Sequence, residues 1–253
     1  MANNLAKLGW AEPHPESFAL KPSDVHVWAI DLKATPKQLR ELATLLSQDE
    51  KERAARYKYD ADRERYMIAR GTLRKLLGKY LRIEPEKIGF RFENYGKPVV
   101  EPCTNLHFNL THSGELALLA VTQIDEVGID LEGLRPISDL MAIAERYFTE
   151  NEQSLIRSVP EQAAVETFFN FWVRKEAYAK AIGKGMNLAF NRIEVSLGSE
   201  ESPRFLRFDA GQDDPLRWQL FALQMPATHV AAVALRADKA SLYCWKAISE
   251  ITG

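Results

Sequence analysis

Acidic residues within apolar sequence are the feature of this chain that most directly suggests chemistry. Asp130 and Glu132 stand two positions apart in 127–131, a segment that predicts a strand, so both side chains point to one face. Glu176 lies in a later segment with helical spacing. Carboxylate oxygens suit Mg²⁺, with Mn²⁺ as an alternative, and such ions bridge proteins to substrate phosphates. The three acids predict a divalent-metal site, although the strand pair alone also fits two solvated acids.

The predicted helix 164–182 extends this interpretation. Trp172, Glu176 and Lys180 are spaced by four residues and form one stripe, with Lys175 beside it. Taken alone, the stripe is more typical of an exposed Glu–Lys pair next to a core tryptophan. Together with the strand acids, it predicts that a helix and a strand share one cation and place Lys180 near a phosphate oxygen.

Polar side chains after the predicted strand 106–110 suggest a phosphate-binding turn. Thr111, His112 and Ser113 supply two hydroxyls and an imidazole, and Lys97 could add positive charge. A histidine beside a serine does not by itself indicate a nucleophile. We therefore predict phosphate binding here.

Arginines in the predicted helix 60–81 offer further positive charge. Arg63, Arg70 and Arg74 recur at helical spacing, along with Arg65. A solvated helix face explains this row as well as an anion site does, so both interpretations stay open from the residues alone.

Glu152 has an explanation that needs no catalytic role. Thr149 and Glu152 form a capping box, in which the glutamate accepts a hydrogen bond from the Thr149 N–H. Ser47 and Glu50 repeat this pattern in the first half of the chain. Capping is sufficient for Glu152, and a catalytic role would be an addition to it.

Composition places these residues in a soluble globular protein. The chain has 253 residues, 46% of them hydrophobic, which is ample for a sizeable core. Its net charge of −2 argues against broad nucleic-acid binding, and no apolar stretch suits a signal peptide or membrane span. Cys103 and Cys244 lack metal-ligand spacing, which fits a reducing compartment. We expect a cytoplasmic protein without nucleic-acid or membrane partners.

The elements that must position these residues are a mixture of β-strands and α-helices. The patterns predict strands at 25–32, 88–92, 106–110, 116–122, 127–131, 204–208, 218–224 and 230–235. They predict helices at 36–46, 60–81, 140–147, 150–158 and 164–182. A weak repeat relates 70–79 to 175–184, in step with the two capping boxes. We predict two similar lobes, 1–124 and 125–253, with a ligand site in the cleft between them.

The full set of motifs resembles one enzyme family. In order, the motifs occupy 95–98, 108–113, 127–132, 168–172 and 175–180, followed by 183–185. This set is similar to that of the 4′-phosphopantetheinyl transferases of the two-lobed, surfactin-synthetase-activating type. The resemblance implies an α+β fold, a pseudo-twofold pair of lobes in which a small antiparallel sheet packs with a long helix. The active site would lie at their interface, within a monomer.

The resemblance also implies a reaction. Such enzymes move the 4′-phosphopantetheine arm of coenzyme A, the co-substrate, onto a serine of an apo acyl or peptidyl carrier protein. Adenosine 3′,5′-bisphosphate leaves, and Mg²⁺ is required. Fatty acid, polyketide and nonribosomal peptide assembly all use such carriers. Carrier docking is expected around residues 135–148, where a basic and apolar surface would meet an acidic partner.

Matching to the family motifs suggests roles residue by residue. Asp130, Glu132 and Glu176 are predicted to bind the metal. Catalytic roles fall on Glu176, Lys180 and Glu152, with Glu176, Glu152 or water taking the serine proton. Coenzyme A contacts are predicted at Lys97, Thr111, His112, Arg70, Arg74 and Lys175.

Three positions depart from the family pattern. Thr111 stands where serine is usual, which keeps a hydroxyl, and Val173 stands where serine or threonine is common. Glu50 stands where some members have lysine near the nucleotide. The contacts of the loop around Glu50 are therefore open.

Two other functions compete with this interpretation. A metal-dependent nuclease could use the same acids with Lys180, but the chain lacks a broad basic excess. A coenzyme A sensor or carrier-binding adaptor would have less need of a complete set of metal ligands. Cleavage of DNA would favour the nuclease, and binding of both ligands without product would favour the adaptor.

Overall fold

The computed structural model describes residues 9–102, 104–197, 202–209 and 213–247, so Cys103 lies outside the described residues. The helices are α1 Pro36–Thr44, α2 Gln48–Ala55, α3 Asp60–Leu81, α4 Leu140–Tyr147, α5 Glu150–Ser158 and α6 Glu161–Ala181. The strands are β1 Asp24–Asp31, β2 Gly89–Phe92, β3 Pro98–Glu101, β4 His107–Ser113, β5 Leu116–Thr122, β6 Val127–Gly133, β7 Ile193–Val195, β8 Phe205–Phe208, β9 Trp218–Ala222, β10 His229–Arg236 and β11 Ser241–Ala247. No helix in these ranges is long and apolar enough to cross a membrane.

The first sheet has the strand order β11-β1-β5-β4, and α3 covers one of its faces. β1 is antiparallel to β5 and β5 to β4, whereas β11 runs parallel to β1. Trp28 and Ile30 of β1 pack with α3, while the alternate residues Val27 and Ala29 face the second sheet. Burial on both faces explains why β5 is apolar along its whole length.

The second sheet has the order β6-β10-β9, is antiparallel throughout, and packs against α6. Ile129 and Leu131 of β6 face the first sheet. Because side chains alternate along a strand, Gly128, Asp130 and Glu132 face α6. The layers are therefore helix, sheet, sheet, helix, and the acids lie between β6 and the second long helix.

Local sequence sets the limits of α6. The helix begins directly after Pro160, a residue that cannot continue a preceding helix but fits a helix start. It ends before Gly183, whose φ of 68° is left-handed and favours glycine. The Lys184 N–H then donates to the Ala179 carbonyl at 2.9 Å, which satisfies one of the last carbonyls of the helix.

Each lobe contains a buried ion pair between a capping glutamate and its long helix. Glu50 accepts from the Ser47 N–H at the start of α2 and pairs with Arg70 and Arg74 of α3. Glu152 accepts from the Thr149 N–H at the start of α5 and pairs with Lys175 of α6. The two arrangements agree with the predicted repeat, in which position 70 matches position 175.

The α+β class, with two lobes that each join a sheet to a long helix, is confirmed, but the sheets differ from prediction in one respect. Residues 241–247 belong to the predicted second lobe, yet as β11 they extend the first sheet, in parallel with β1. β11 satisfies backbone groups that would otherwise form an exposed strand edge. The sequence patterns missed the strands β3, β7 and β11, and they indicated α2 only through its capping box. The lobe boundary near residue 124 stays a prediction.

Candidate active site

Asp130, Thr111 and Lys180 meet where β6, β4 and α6 converge. The Lys180 ammonium donates to Asp130 Oδ1 at 2.5 Å and to Thr111 Oγ1 at 3.1 Å. The threonine hydroxyl in turn donates to Asp130 Oδ1 at 3.3 Å. Since β4 belongs to the first sheet and β6 to the second, this cluster lies between the lobes.

Glu176 lies one helical turn before Lys180 and carries an unusual proton affinity. Burial raises the pKa of Glu176 to about 7, repulsion from Asp130 and Glu132 adds to the rise, and Lys180 opposes it. At neutral pH the carboxyl group is therefore about half protonated. A cation bound beside it would lower this pKa and release a proton.

The donor set fits a hard divalent cation. Asp130 is 5% exposed, and its Oδ2 is buried without a hydrogen-bond partner. A buried carboxylate oxygen without a partner is costly, and a cation is one way to satisfy it. Among the described residues, no three Asp, Glu, His or Cys side chains form a ready-made cluster of ligands. Lys180 and Arg135 instead pair with Asp130 and Glu132, so an ion would compete with these two side chains.

Gly128 controls how closely β6 approaches the helix that carries Glu176. A Cβ atom at Gly128 would lie 2.0 Å from the Ala177 carbonyl oxygen and 2.4 Å from the Ala181 nitrogen. We expect Gly128→Ala to lower the free energy of unfolding by about 3 kcal/mol or more, because helix backbone must move to admit the methyl group. Urea unfolding monitored by tryptophan fluorescence measures this change.

Gly133→Ala is the matched control on the same strand. A Cβ at Gly133 would meet Ser113 Oγ at 3.5 Å and the His229 ring at 3.7 Å, which are ordinary contacts. We expect the stability of this variant to stay close to that of the unmodified chain. Equal loss of stability in both variants would contradict the close-packing explanation.

A basic and aromatic groove lies on the first lobe, on the other face of β4 from Asp130. One cavity of about 260 Å³ contains Arg65, Tyr66 and His112 in its wall. It shares Tyr57 with a second, more open cavity of about 450 Å³ that Arg53 and Arg56 also line. Burial lowers the pKa of His112 below its usual value, and the positive charges of Lys180 and Arg65 lower it further. The groove thus offers guanidinium groups and aromatic rings beside the acidic cluster.

Comparison with known proteins identifies the chain. Residues 126–234 match the model of the 4′-phosphopantetheinyl transferase superfamily. Residues 31–124 match that of the 4′-phosphopantetheinyl transferase N-terminal domain. A relative from Nostoc sp. (strain PCC 7120 / SAG 25.82 / UTEX 2576), the 4′-phosphopantetheinyl transferase HetI, is 40% identical over 226 residues, which cover 88% of this chain and 92% of HetI. This chain belongs to the 4′-phosphopantetheinyl transferase superfamily.

Further relatives place this transferase in the two-domain type. The 4′-phosphopantetheinyl transferase Sfp of Bacillus subtilis (strain 168) is 26% identical over 168 residues, covering 66% of this chain and 74% of Sfp. A solved holo-(acyl-carrier-protein) synthase of Bacillus anthracis str. Ames, in complex with CoA (3′,5′-ADP), is 25% identical. That match covers 44% of this chain and 96% of the other, with a TM-score of 0.38.

Two predicted site residues of the transferase, Glu152 and Lys175, form a buried ion pair away from the groove. Glu152 is 1% exposed, accepts from the Thr149 and Val195 N–H groups, and pairs with Lys175 at 2.5 Å. Lys175 is fully buried and also donates to the Phe190 carbonyl at 2.9 Å. The capping interpretation of Glu152 is confirmed. Both side chains have partners inside the core, and the predicted catalytic role of Glu152 and coenzyme A contact of Lys175 stay predictions.

Arg74 and Arg70 both pair with Glu50, and their predicted contacts to coenzyme A stay predictions. Arg74 is 2% exposed and donates to Glu50 at 2.6 Å and to the Pro85 and Ile88 carbonyls. Arg70 pairs with Glu50 at 2.5 Å and lies over the Phe90 ring. The glutamate that departs from the family pattern thus occupies both arginines. The sequence could not reveal this, because several arginines of α3 share helical spacing.

Lys97 lies at the lobe interface, near the start of β6. Its ammonium donates to the carbonyls of Val127 and Ala181, and burial lowers its pKa. The predicted contact of Lys97 to coenzyme A stays a prediction, as do those of Thr111 and His112. Arg53 was not among the predicted site residues, although the arginines at the end of α2, next to Tyr57, could have indicated it.

Proposed function

We propose that this transferase moves the 4′-phosphopantetheine group of coenzyme A to a serine hydroxyl of an apo acyl or peptidyl carrier protein in a Mg²⁺-dependent reaction. The observation that carries the proposal is the buried, unpartnered Oδ2 of Asp130, with Glu132, Glu176 and Lys180 around it. These acids would hold a cation, and the cation and the Lys180 ammonium would both neutralise the negative charge of the coenzyme A pyrophosphate. Neither a surface ion pair nor a capping role needs such a cluster.

The groove provides the charge that the nucleotide half of coenzyme A requires. Arg65 and His112 lie in one cavity, and Arg53 and Arg56 line the adjoining one. Guanidinium groups match phosphate oxygens in geometry and charge, and the Tyr57 and Tyr66 rings offer flat surfaces for a base. We assign the nucleotide phosphates of coenzyme A to this groove, and we propose that the pyrophosphate extends past the edge of β4 to Thr111 on the opposite face of that strand.

The reaction forms a bond between the serine Oγ and the phosphorus that carries pantetheine. The bond from that phosphorus to the bridging pyrophosphate oxygen breaks, and adenosine 3′,5′-bisphosphate leaves. The Glu176 carboxylate, or a water molecule beside it, accepts the serine proton. Lys180 stabilises the negative charge on the departing oxygen. A bound Mg²⁺, held by Asp130, Glu132 and Glu176, would neutralise pyrophosphate charge.

A single chain supplies both lobes of the site, so we propose that the transferase acts as a monomer. The carrier is proposed to dock on α4 and the segment before it. Arg135 and Arg146 lie there, with partly buried apolar neighbours such as Leu140 and Met141. An acidic carrier would meet this mixed surface close to Glu132, which pairs with Arg135.

Intact-protein mass spectrometry of apo carriers incubated with the transferase, coenzyme A and Mg²⁺ tests the function. We expect one phosphopantetheinyl group per carrier, and none when EDTA replaces Mg²⁺. No gain on any carrier despite coenzyme A binding would favour the adaptor. DNA cleavage in Mg²⁺ without carrier modification would favour the nuclease.

Arg65→Gln tests the groove, with Arg63→Gln as the matched control. Both arginines lie on α3 and pair with the aspartate three residues earlier: Arg65 with Asp62, and Arg63 with Asp60. Only Arg65 is assigned to the groove. Loss of a charge-assisted hydrogen bond should raise KM for coenzyme A about 10-fold or more in Arg65→Gln. An equal effect of Arg63→Gln would contradict the assignment. KM is then measured with 3′-dephospho-coenzyme A, which lacks the 3′-phosphate. If Arg65 contacts that phosphate, Arg65→Gln should not raise KM for this analogue.

A further inference from the structure

Side chains of β4 connect the two lobes at a place where no backbone hydrogen bonds link the two sheets in the described residues. β4 is an edge strand of the first sheet and β6 an edge strand of the second, and no backbone ladder connects them in the described residues. Asn109 Oδ1 accepts the Ile129 N–H at 2.9 Å, and Ser113 Oγ accepts the Gly133 N–H at 3.0 Å. Two side chains of one strand therefore take the place of a ladder.

The positions of these two bonds matter for the active site. Ile129 and Gly133 bracket the stretch of β6 that carries Asp130 and Glu132. Asn109 is 7% exposed, so the bond that it accepts is shielded from water. A buried N–H without an acceptor is rare and costly, which makes the bond a strong constraint on where β6 can lie.

Thr111 lies between the two acceptors on the same face of β4 and contacts Asp130 directly. His112 points to the opposite face, into the groove on the first lobe. The spacing between that groove and the acids of β6 therefore depends on how β4 is held against β6. A shift of the order of 1 Å between such groups can cost about 100-fold in rate.

We propose that Asn109 and Ser113 are positioning residues, which hold the β6 acids at the correct distance from the β4 side of the site. The proposal rests on the proposed transferase function. It assigns no contact with substrate to either residue. Their effect passes through the backbone of β6.

Ser113→Ala and Asn109→Leu remove the acceptors and test the proposal. We expect each to lower kcat 10- to 100-fold, to weaken Mn²⁺ binding measured by electron paramagnetic resonance, and to speed amide hydrogen exchange in β6. Ser113→Thr keeps the hydroxyl oxygen and should restore kcat and Mn²⁺ affinity. A role in stability alone would lower the urea midpoint without changing kcat or Mn²⁺ affinity in the folded protein.

Thr122→Val is the matched control. Thr122 is fully buried and donates to the Asp24 carbonyl at 2.8 Å within the first sheet, so this variant also loses a buried hydrogen bond. We expect it to lower stability but to keep kcat, Mn²⁺ binding and β6 exchange. Unchanged kcat and Mn²⁺ affinity in both test variants would overturn the proposal. Failure of the proposed function is distinct, because the unmodified chain would then modify no carrier.

Discussion

Asp130→Asn is expected to lower kcat for carrier modification about a thousandfold while the protein stays folded. The amide keeps the shape of the side chain but loses the charge that Lys180 contacts at 2.5 Å. It also loses the buried Oδ2 that has no protein partner and is proposed to bind the cation. We expect Mn²⁺ affinity to fall in parallel, as measured by electron paramagnetic resonance. Single-turnover transfer followed by mass spectrometry gives the rate.

Asp24→Asn is the matched control for this variant. Asp24 is 4% exposed, lies in β1, and accepts from the Lys21 N–H at 3.1 Å. The same chemical change is thus made at another buried aspartate outside the proposed site. We expect kcat and Mn²⁺ binding to stay at the level of the unmodified chain. Transfer by Asp130→Asn at a rate near that of Asp24→Asn would contradict the assignment of Asp130.

Lys175→Met is expected to lower the free energy of unfolding by about 3–5 kcal/mol. The substitution leaves Glu152 at 1% exposure without its cationic partner, and a buried unpaired charge is costly. Burial already lowers the pKa of Lys175, while Glu152 favours its charged form. Urea unfolding measures the loss. The double variant Glu152→Gln/Lys175→Met should recover a large part of it, because neither charge then remains buried alone.

Lys37→Met serves as the control for this pair. Lys37 and Glu41 form an exposed pair at 3.9 Å on α1, and such pairs contribute little to stability. We expect no measurable change in its unfolding midpoint. Small loss of stability in Lys175→Met, together with loss of transfer activity in the folded protein, would contradict the structural role. That result would instead support the catalytic and coenzyme A roles that the sequence suggested.

The paired arrangement in the two lobes explains a departure from the family pattern. Glu50 departs from the expected family pattern, and here it pairs with Arg70 and Arg74. Glu50 and Arg74 are buried and the Arg70 side chain is 13% exposed, so this ion pair lies in the interior of the first lobe. The groove consequently draws its positive charge from Arg53, Arg56 and Arg65.

Several parts of the structure follow from sequence alone because they depend on neighbours along the chain. Alternation along β6 places Asp130 and Glu132 on one face, and the spacing of four residues places Glu176 and Lys180 on one side of α6. The capping boxes are also local features, and the structure contains both as predicted. The family motifs indicated the class of enzyme for the same reason, because each motif is a short run of neighbouring residues that can be recognised without the fold.

Other parts were decided only by tertiary packing. The arginines of α3 all recur at helical spacing, but Arg70 and Arg74 pair with Glu50 while Arg65 lines a cavity. β11 could not be assigned to the first sheet from its sequence, because strand pairing depends on which edge remains open after the rest has folded. Asn109 likewise gains its role from a distant N–H group on β6. Such partners are far apart in the chain, and only the packed structure brings them together.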